Sequence, residues 1–358
     1  MVIEQYTIPN KYNFPQPNTD TLLPQRFLEQ SLHSLKKTKH QPLFLTQQTQ
    51  QLNPTEQHHQ TLQLKPIPIA LKPDHQETLI AAIDTSTIKI GETTTGIIVA
   101  IRGATTWRQN QTYNYTRLGP FIFHITEENK NQLYNTLEKA YFTVSYSSTH
   151  QTAPSFMQMP TRLASLLERW IQTMLAKTVN HGILLFDGSL TAGTMDTPTQ
   201  RLKEILSFAR RNQNTVLALS KVTTLRANGI LITEQQYHND PPYLIETMGL
   251  HSNPHQTLLG DVYVARLSKT NLSFRLDIDK EVNFERRVDA LQKLLGNDLY
   301  TQSYPETLRL AHILCTFTAN EVLAIKHFIT RRHGIQIINR PDMHRLLFGQ
   351  FGSGEAYA

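Results

Sequence analysis

The sequence predicts an α/β fold, a mixed sheet flanked by helices, with further helices at the carboxyl terminus and an extension at the amino terminus. Three observations carry this. Between residues 77 and 125 three apolar, β-rich runs follow one another with only short breaks, as in an antiparallel meander. Two later apolar runs, HGILLFDGSL (181–190) and NTVLALSK (214–221), each follow a stretch of helical period. Strand–helix–strand units imply parallel neighbours joined by right-handed crossovers. A length of 358 residues with 39% hydrophobic content is enough for one large domain or two small ones.

The elements read in order as follows. Residues 1–75 form an extension rich in Gln, His, Thr and Pro; QRFLEQSLHSLKK reads as a helix, and the Gln-rich stretch after it has little periodicity. The extension is either peripheral or a docking segment for a partner. A main domain is expected over 76–350. ETLIAAIDTS, TGIIVAIRGATTW and YTRLGPFIFHI are its first strands, EENKNQLYNTLEKAYF a helix, and SYSSTHQTAPSFMQMP a loop. In RLASLLERWIQTMLAK, Leu163, Leu166, Leu167, Trp170, Ile171, Met174 and Leu175 form one apolar helical face. PTQRLKEILSFARR is a second helix, with Pro198 near its first turn. Residues 222–258, with NDPP and HSNPH, read as a long surface excursion, and DVYVARLSKTNLSFRLDI as a hairpin. Three helices follow, NFERRVDALQKLLG, YPETLRLAHILCTF and ANEVLAIKHFITRRHG, and a frayed tail closes the chain. Three antiparallel strands leading into strand–helix–strand units describe a ribonuclease-H-like sheet.

Composition narrows the function classes. A net charge of +6 and a pI near 9.2 favour polyanionic partners, nucleic acid first. With one cysteine, Cys315, no internal disulfide is expected, and a reducing cytoplasm is the expected setting. The opening MVIEQYTIPNKYNFPQPNTD has no basic stretch followed by an apolar one, so no secretory signal is expected. No membrane span is expected either, since no apolar run reaches roughly 18 residues.

The chemistry is expected at strand ends. Asp84 and Asp187 each close an apolar run, and open α/β sheets gather ligands at the carboxyl ends of their strands. Two carboxylates on neighbouring ends repel unless a cation lies between them, and oxygen ligands of this kind suit Mg²⁺ or Mn²⁺. Either acid alone could be a turn or cap residue. Glu168 borders the apolar face of the helix that leads into the Asp187 strand; it reads as a third ligand or as a solvated glutamate. Acids of this kind can hold two ions roughly 3.5–4 Å apart, an arrangement that stabilises both oxygens of an in-line phosphoryl displacement. Lys221 also emerges at a strand end, either to neutralise a scissile phosphate or as a surface lysine. Ser303 and Glu306 fit a capping box. On the helix so begun, Tyr304 and His312 would both face one cleft, about 80° apart. His312, among Leu310, Ala311, Ile313 and Leu314, also fits a core histidine.

From about residue 80 to 350 the chain resembles the NurA nucleases. The resemblance rests on AAIDTS, on LLERWIQTMLAK followed by ILLFDGSL, then on ALSK and YPETLRLAH, in that order. The separations of Glu168 from Asp187 and of Tyr304 from His312 also match. The resemblance implies a ribonuclease-H-like fold, a homodimer, and dependence on Mn²⁺, with Mg²⁺ as the other fitting ion. It implies cleavage of single-stranded DNA, digestion from 5′ ends, and work with a HerA-type hexameric ATPase at double-strand breaks, hence a nucleoid-associated place in a prokaryotic cytoplasm. By motif, Asp84, Glu168 and Asp187 correspond to metal-binding acids, Tyr304 and His312 to a late active-site pair with His312 as a further ligand, and Lys221 to a motif lysine. Thr85 stands where the first motif usually has glycine, and the stretch between Asp84 and Glu168 is long for the family. Two competing readings are a catalytically weak DNA-binding or ATPase-adaptor subunit and a sugar-kinase-like ATPase. The latter requires Gly-rich phosphate loops, which the sequence lacks.

Overall fold

The fold is taken from a computed structural model. It describes residues 22–36, 42–45, 62–65, 67–141, 154–155, 157–194, 196–235, 240–252, 256–270 and 272–339. The Gln-rich stretch at 46–61 and the tail lie outside the described residues.

Strands β2 (Ile80–Glu92), β3 (Gly96–Gln109) and β4 (Thr112–Thr126) form the expected antiparallel meander. They are longer than the sequence reading had them. With helix α2 (Lys130–Tyr141) they take up much of the chain between Asp84 and Glu168. Helix α3 (Met159–Thr178) leads into β5 (Ile183–Asp187), which pairs parallel to β2. Helix α4 (Thr199–Arg211) leads into β6 (Thr215–Ser220), parallel to β5. The spatial order is therefore β4-β3-β2-β5-β6, with β3 alone antiparallel to its neighbours on both sides, the predicted ribonuclease-H-like sheet.

Alternation along the strands divides the core between two faces. Ala81, Ile83, Leu184, Phe186, Val216 and Ala218 meet α3 and α4. Ile80, Ala82, Ile183, Leu185, Leu217 and Leu219 meet the helices that follow the sheet, α5 (Phe284–Asn297) and α6 (Glu306–Cys315).

Four expectations change. First, the 222–258 segment is not a mere excursion: it contains β7 (Tyr243–Met248), which pairs antiparallel to β8 (Gly260–Arg266). β8 in turn pairs with β9 (Phe274–Asp279), and β9 with β6, so the sheet continues past the core units. Tyr243 and Ile245 are buried with Leu62, Ala227 and Ile232 in a small core of their own, which the turn-rich flanks hid.

Second, residues before 75 join the same sheet. Phe27 of α1 (Leu22–Lys36) is fully buried, with its ring 5.4 Å from Phe121 and 5.8 Å from Phe123. β1 (Pro42–Leu45) meets β2 at Glu92, and Gln63–Leu64 and Ile69–Ala70 pair with β7.

Third, α6 has no capping box. Pro305 is its N-cap, and Ser303 lies in a tight turn with φ 66°, its hydroxyl 2.6 Å from those of Ser268 and Thr270. Glu306 instead grips Arg309 at 2.6 Å.

Fourth, Tyr304 is in a two-residue strand rather than on α6, so helical spacing does not relate it to His312. The apolar stretch 306–333 breaks at Thr316–Thr318 into α6, of 10 residues, and α7 (Ala319–His333), of 15. Each is shorter than the ~20 residues a helix needs to span a bilayer. The final strand, β10 (Gln336–Asn339), runs parallel to β1.

Candidate active site

Asp84 and Asp187 come together by register. Ile83 lies opposite Phe186 on parallel strands, so the next residue on each is an aspartate, and neighbouring strands stand about 4.8 Å apart. Both acids alternate onto the face of Ile80, Ala82, Ile183 and Leu185, toward α6. β5 stops at Asp187, while β2 runs on and meets its next partner on that side, Phe44, at Glu92. The edge of β2 beyond Asp84 is thus a notch in the sheet, with α3 on one face and α6 on the other.

Local chemistry shapes this notch. Gly188 has φ +100°, a conformation that favours glycine, and turns the chain sharply after Asp187. Its N–H donates to the Leu219 carbonyl, and Ser220 Oγ donates to the Gly188 carbonyl. Asp277, wholly buried and clamped by Arg275, accepts the Leu190 N–H at 3.0 Å and so fixes the far end of the same turn. Sequence reading passed over Asp277, although the alternation of RLDID is a signal for an inward acid. Thr85, in the place of the usual glycine, sits in regular strand and donates its N–H to Asp84 Oδ1 at 2.7 Å. No left-handed conformation is needed there.

His312 reaches in from α6. Its Nδ1 is 2.6 Å from Asp84 Oδ2, and its side chain is 52% exposed, so it is not a core histidine. Lys221, one residue past β6, donates to Asp187 Oδ2 at 2.8 Å and lies 5.5 Å from the centre of the Tyr304 ring. Tyr304 is buried with its ring edge-on to Phe274, and its hydroxyl finds no partner among the described residues. Burial first, and then the charges of Asp187 and Asp84, push that hydroxyl well above the ordinary tyrosine range. It remains a proton donor beside two acids.

Glu168 arrives from α3. Gly103 on β3, opposite Thr85, lets this helix approach: a Cβ there would stand 2.6 Å from Ile171 Cδ1. Glu168 Oε1 accepts from Gln172 at 3.0 Å and lies 3.8 Å from Arg169. Burial raises the pKa of Glu168; Arg169 lowers it, and the charges of Asp84 and Asp187 add to the rise. Asp84 is raised by burial and by Asp187, against the opposing hydrogen bond from His312. The three acids therefore share one electrostatic neighbourhood, but they do not close into a single cluster at ligand spacing. The tight group is Asp84, His312 and Cys315, whose donor atoms all lie within 4.8 Å of one another. Cys315 was read from the sequence only for its bearing on disulfides. Its place one turn beyond His312 was the available signal.

Arg210, Arg211, Arg286 and Arg287, basic residues that could either line a DNA path or solvate helices, are mostly occupied by other groups of the fold. Arg210 bonds Asp279 at 2.5 Å and Glu281 at 2.8 Å; Arg287 is buried against Asp261 and Tyr263; Arg286 donates to the Gln213 carbonyl; Arg211 lies 5.8 Å over Phe208.

The donors are of the kind a divalent cation takes, carboxylates with an imidazole, although the three acids do not themselves meet at ligand spacing. Nearby carboxylates add to the raised proton affinity of Asp84 and Glu168, and Lys221 neutralises Asp187, a partner a dication would replace.

In class, then, the chain is a ribonuclease-H-like α/β protein with acids side by side on its central parallel strands, Asp187 at the end of β5 and Asp84 within β2. It is similar to the NurA nuclease from Sulfolobus solfataricus, with 14% identity and a TM-score of 0.44, covering 74% of this chain and 88% of that one. It is also similar to endonuclease V from Bacillus subtilis, with 11% identity and a TM-score of 0.33, covering 74% and 89%. A further NurA crystal structure aligns at 9% identity and a TM-score of 0.31, covering 72% and 90%. No protein-family model and no curated protein matches the sequence.

Proposed function

We propose that this chain is a divalent-metal-dependent DNA nuclease. The observation that carries the reading is the register of β2 and β5, which sets Asp84 beside Asp187 where the sheet opens, with His312, Lys221 and Tyr304 around them. Asp84, Asp187, Glu168 and His312 are the residues that would hold Mn²⁺ or Mg²⁺. When bound, the ion supplies the charge that polarises a phosphodiester and makes water acidic enough to attack near neutral pH. Lys221, 38% exposed, is free to swing from Asp187 to a non-bridging phosphate oxygen and neutralise charge building there. Tyr304 offers a neutral hydroxyl to a phosphate oxygen, which would give that buried group a partner it does not find among the described residues. His312 orients Asp84 through Nδ1. The net charge of +6 suits a polyanionic substrate.

The finer reading follows from the resemblance: single-strand endonuclease and 5′→3′ exonuclease activity at broken DNA ends, as a homodimer partnered by a HerA-type ATPase.

The test is cleavage of single-stranded and 5′-labelled duplex DNA by the full chain with Mn²⁺. Loss of an outer-shell partner alone typically costs metal sites 10–100-fold, so Asp84→Ala or Asp187→Ala is expected to cost about 100-fold or more. Equal background cleavage by wild type and both variants would overturn the nuclease reading in favour of a DNA-binding or adaptor subunit.

A further inference from the structure

Asp84, His312 and Cys315 present one oxygen, one nitrogen and one sulfur donor within 4.8 Å of one another. His312 and Cys315 are three residues apart on α6, which puts both on the helix face that meets β2. Cys315 is wholly buried, forms no disulfide, and spends its S–H on the His312 carbonyl at 3.2 Å. A rotation about its Cα–Cβ bond is what redirects the sulfur. A tetrahedral ion with bonds of about 2.0–2.3 Å holds its ligand atoms roughly 3.4–3.8 Å apart. Reaching that spacing requires the 2.6 Å contact between Asp84 and His312 to open and the sulfur to draw in. The half-exposed imidazole leaves the ion a way in from solvent.

Donor chemistry decides which ion this arrangement takes. Mn²⁺ and Mg²⁺ favour carboxylates and water, whereas thiolate with imidazole favours Zn²⁺ and its softer relatives, and the general order of affinities places Zn²⁺ above Mn²⁺. We propose that Asp84, His312 and Cys315 form a sulfur-bearing site for Zn²⁺-like ions, and that filling it removes Asp84 and His312 from the oxygen-rich centre and so inhibits the protein. Binding forms the metal–sulfur bond and releases the thiol proton to solvent. The inhibitory half of the proposal rests on the nuclease reading; the ligand set does not.

Titration of the full chain with Co²⁺ tests the ligand set. Wild type is expected to show a saturable thiolate-to-cobalt charge-transfer band that Zn²⁺ displaces, and Cys315→Ser to show none. Zn²⁺ affinity should fall about tenfold or more in Cys315→Ser, while Mn²⁺ affinity changes by less than about twofold. X-ray absorption of the Zn²⁺-loaded wild type, which needs no variant, should show one sulfur at about 2.3 Å. Absence of both the band and the sulfur shell overturns the ligand set. Zn²⁺ inhibition of equal strength in wild type and Cys315→Ser overturns the regulatory role. A sulfur-bound ion in a protein with no Mn²⁺-dependent cleavage would leave the ligand set standing and sink the nuclease reading instead. An active nuclease with no sulfur contact would do the reverse.

Discussion

Asp187 carries its own counter-charge, and that pairing makes a prediction at the scale of single side chains. Lys221 neutralises Asp187 across 2.8 Å, with 38% of the lysine side chain in solvent. An ion entering the centre competes with it. Lys221→Met should therefore leave Mn²⁺ affinity unchanged or raised, while cleavage falls on the order of 100-fold through loss of charge stabilisation at the phosphate. Calorimetric titration and single-turnover cleavage separate the two effects. A parallel loss of both would mean that Lys221 merely holds the site together. Asp187 and Lys221 were legible as strand-end residues because an apolar run followed by a polar residue marks where a buried strand surfaces; Asp84 also follows an apolar run, but β2 continues past it to Glu92 and leaves it buried within the strand. The contact of His312 with Asp84 was not legible, because nothing along the chain says which helix lies over which strand.

At the scale of elements, the position of α3 depends on a missing side chain. A Cβ at Gly103 would lie 2.6 Å from Ile171 Cδ1 and 3.3 Å from Leu167 Cδ2. Gly103→Ala is expected to push the helix outward and cost about 1–3 kcal/mol, as overpacking of a tight core does. Because Glu168 adjoins Leu167 on that helix, Mn²⁺ affinity should fall as well. Thermal unfolding and metal titration of the same variant check both; wild-type affinity in a destabilised Gly103→Ala would detach Glu168 from the metal. Here local pattern misled in one place. Ser303 and Glu306 have the spacing of a capping box, yet the helix begins at Glu306 because Pro305 caps it and Ser303 is drawn into a tight turn by Ser268 and Thr270. The hidden strand β7 was missed for a related reason: its turn-rich flanks gave no sign of the neighbour, β8, with which it pairs.

For the molecule as a whole, the amino-terminal residues are part of the fold they precede. Phe27 is fully buried against Phe121 and Phe123, and burying an aromatic of this size makes its removal costly. Phe27→Ala should lower stability by about 3–5 kcal/mol in denaturant unfolding. A peripheral helix would show almost none of that loss. The sequence by itself determined the mixed α/β order, the meander, the crossover units and the two aspartates that close apolar runs. These depend on period and composition, which act over a few neighbouring residues. The tertiary structure alone decided that α1 and β1 complete the sheet, that β5 ends where β2 continues, and that α6 brings His312 and Cys315 to Asp84. Those outcomes come from packing between segments tens to hundreds of residues apart, where burial and register select among arrangements that the local pattern leaves equal.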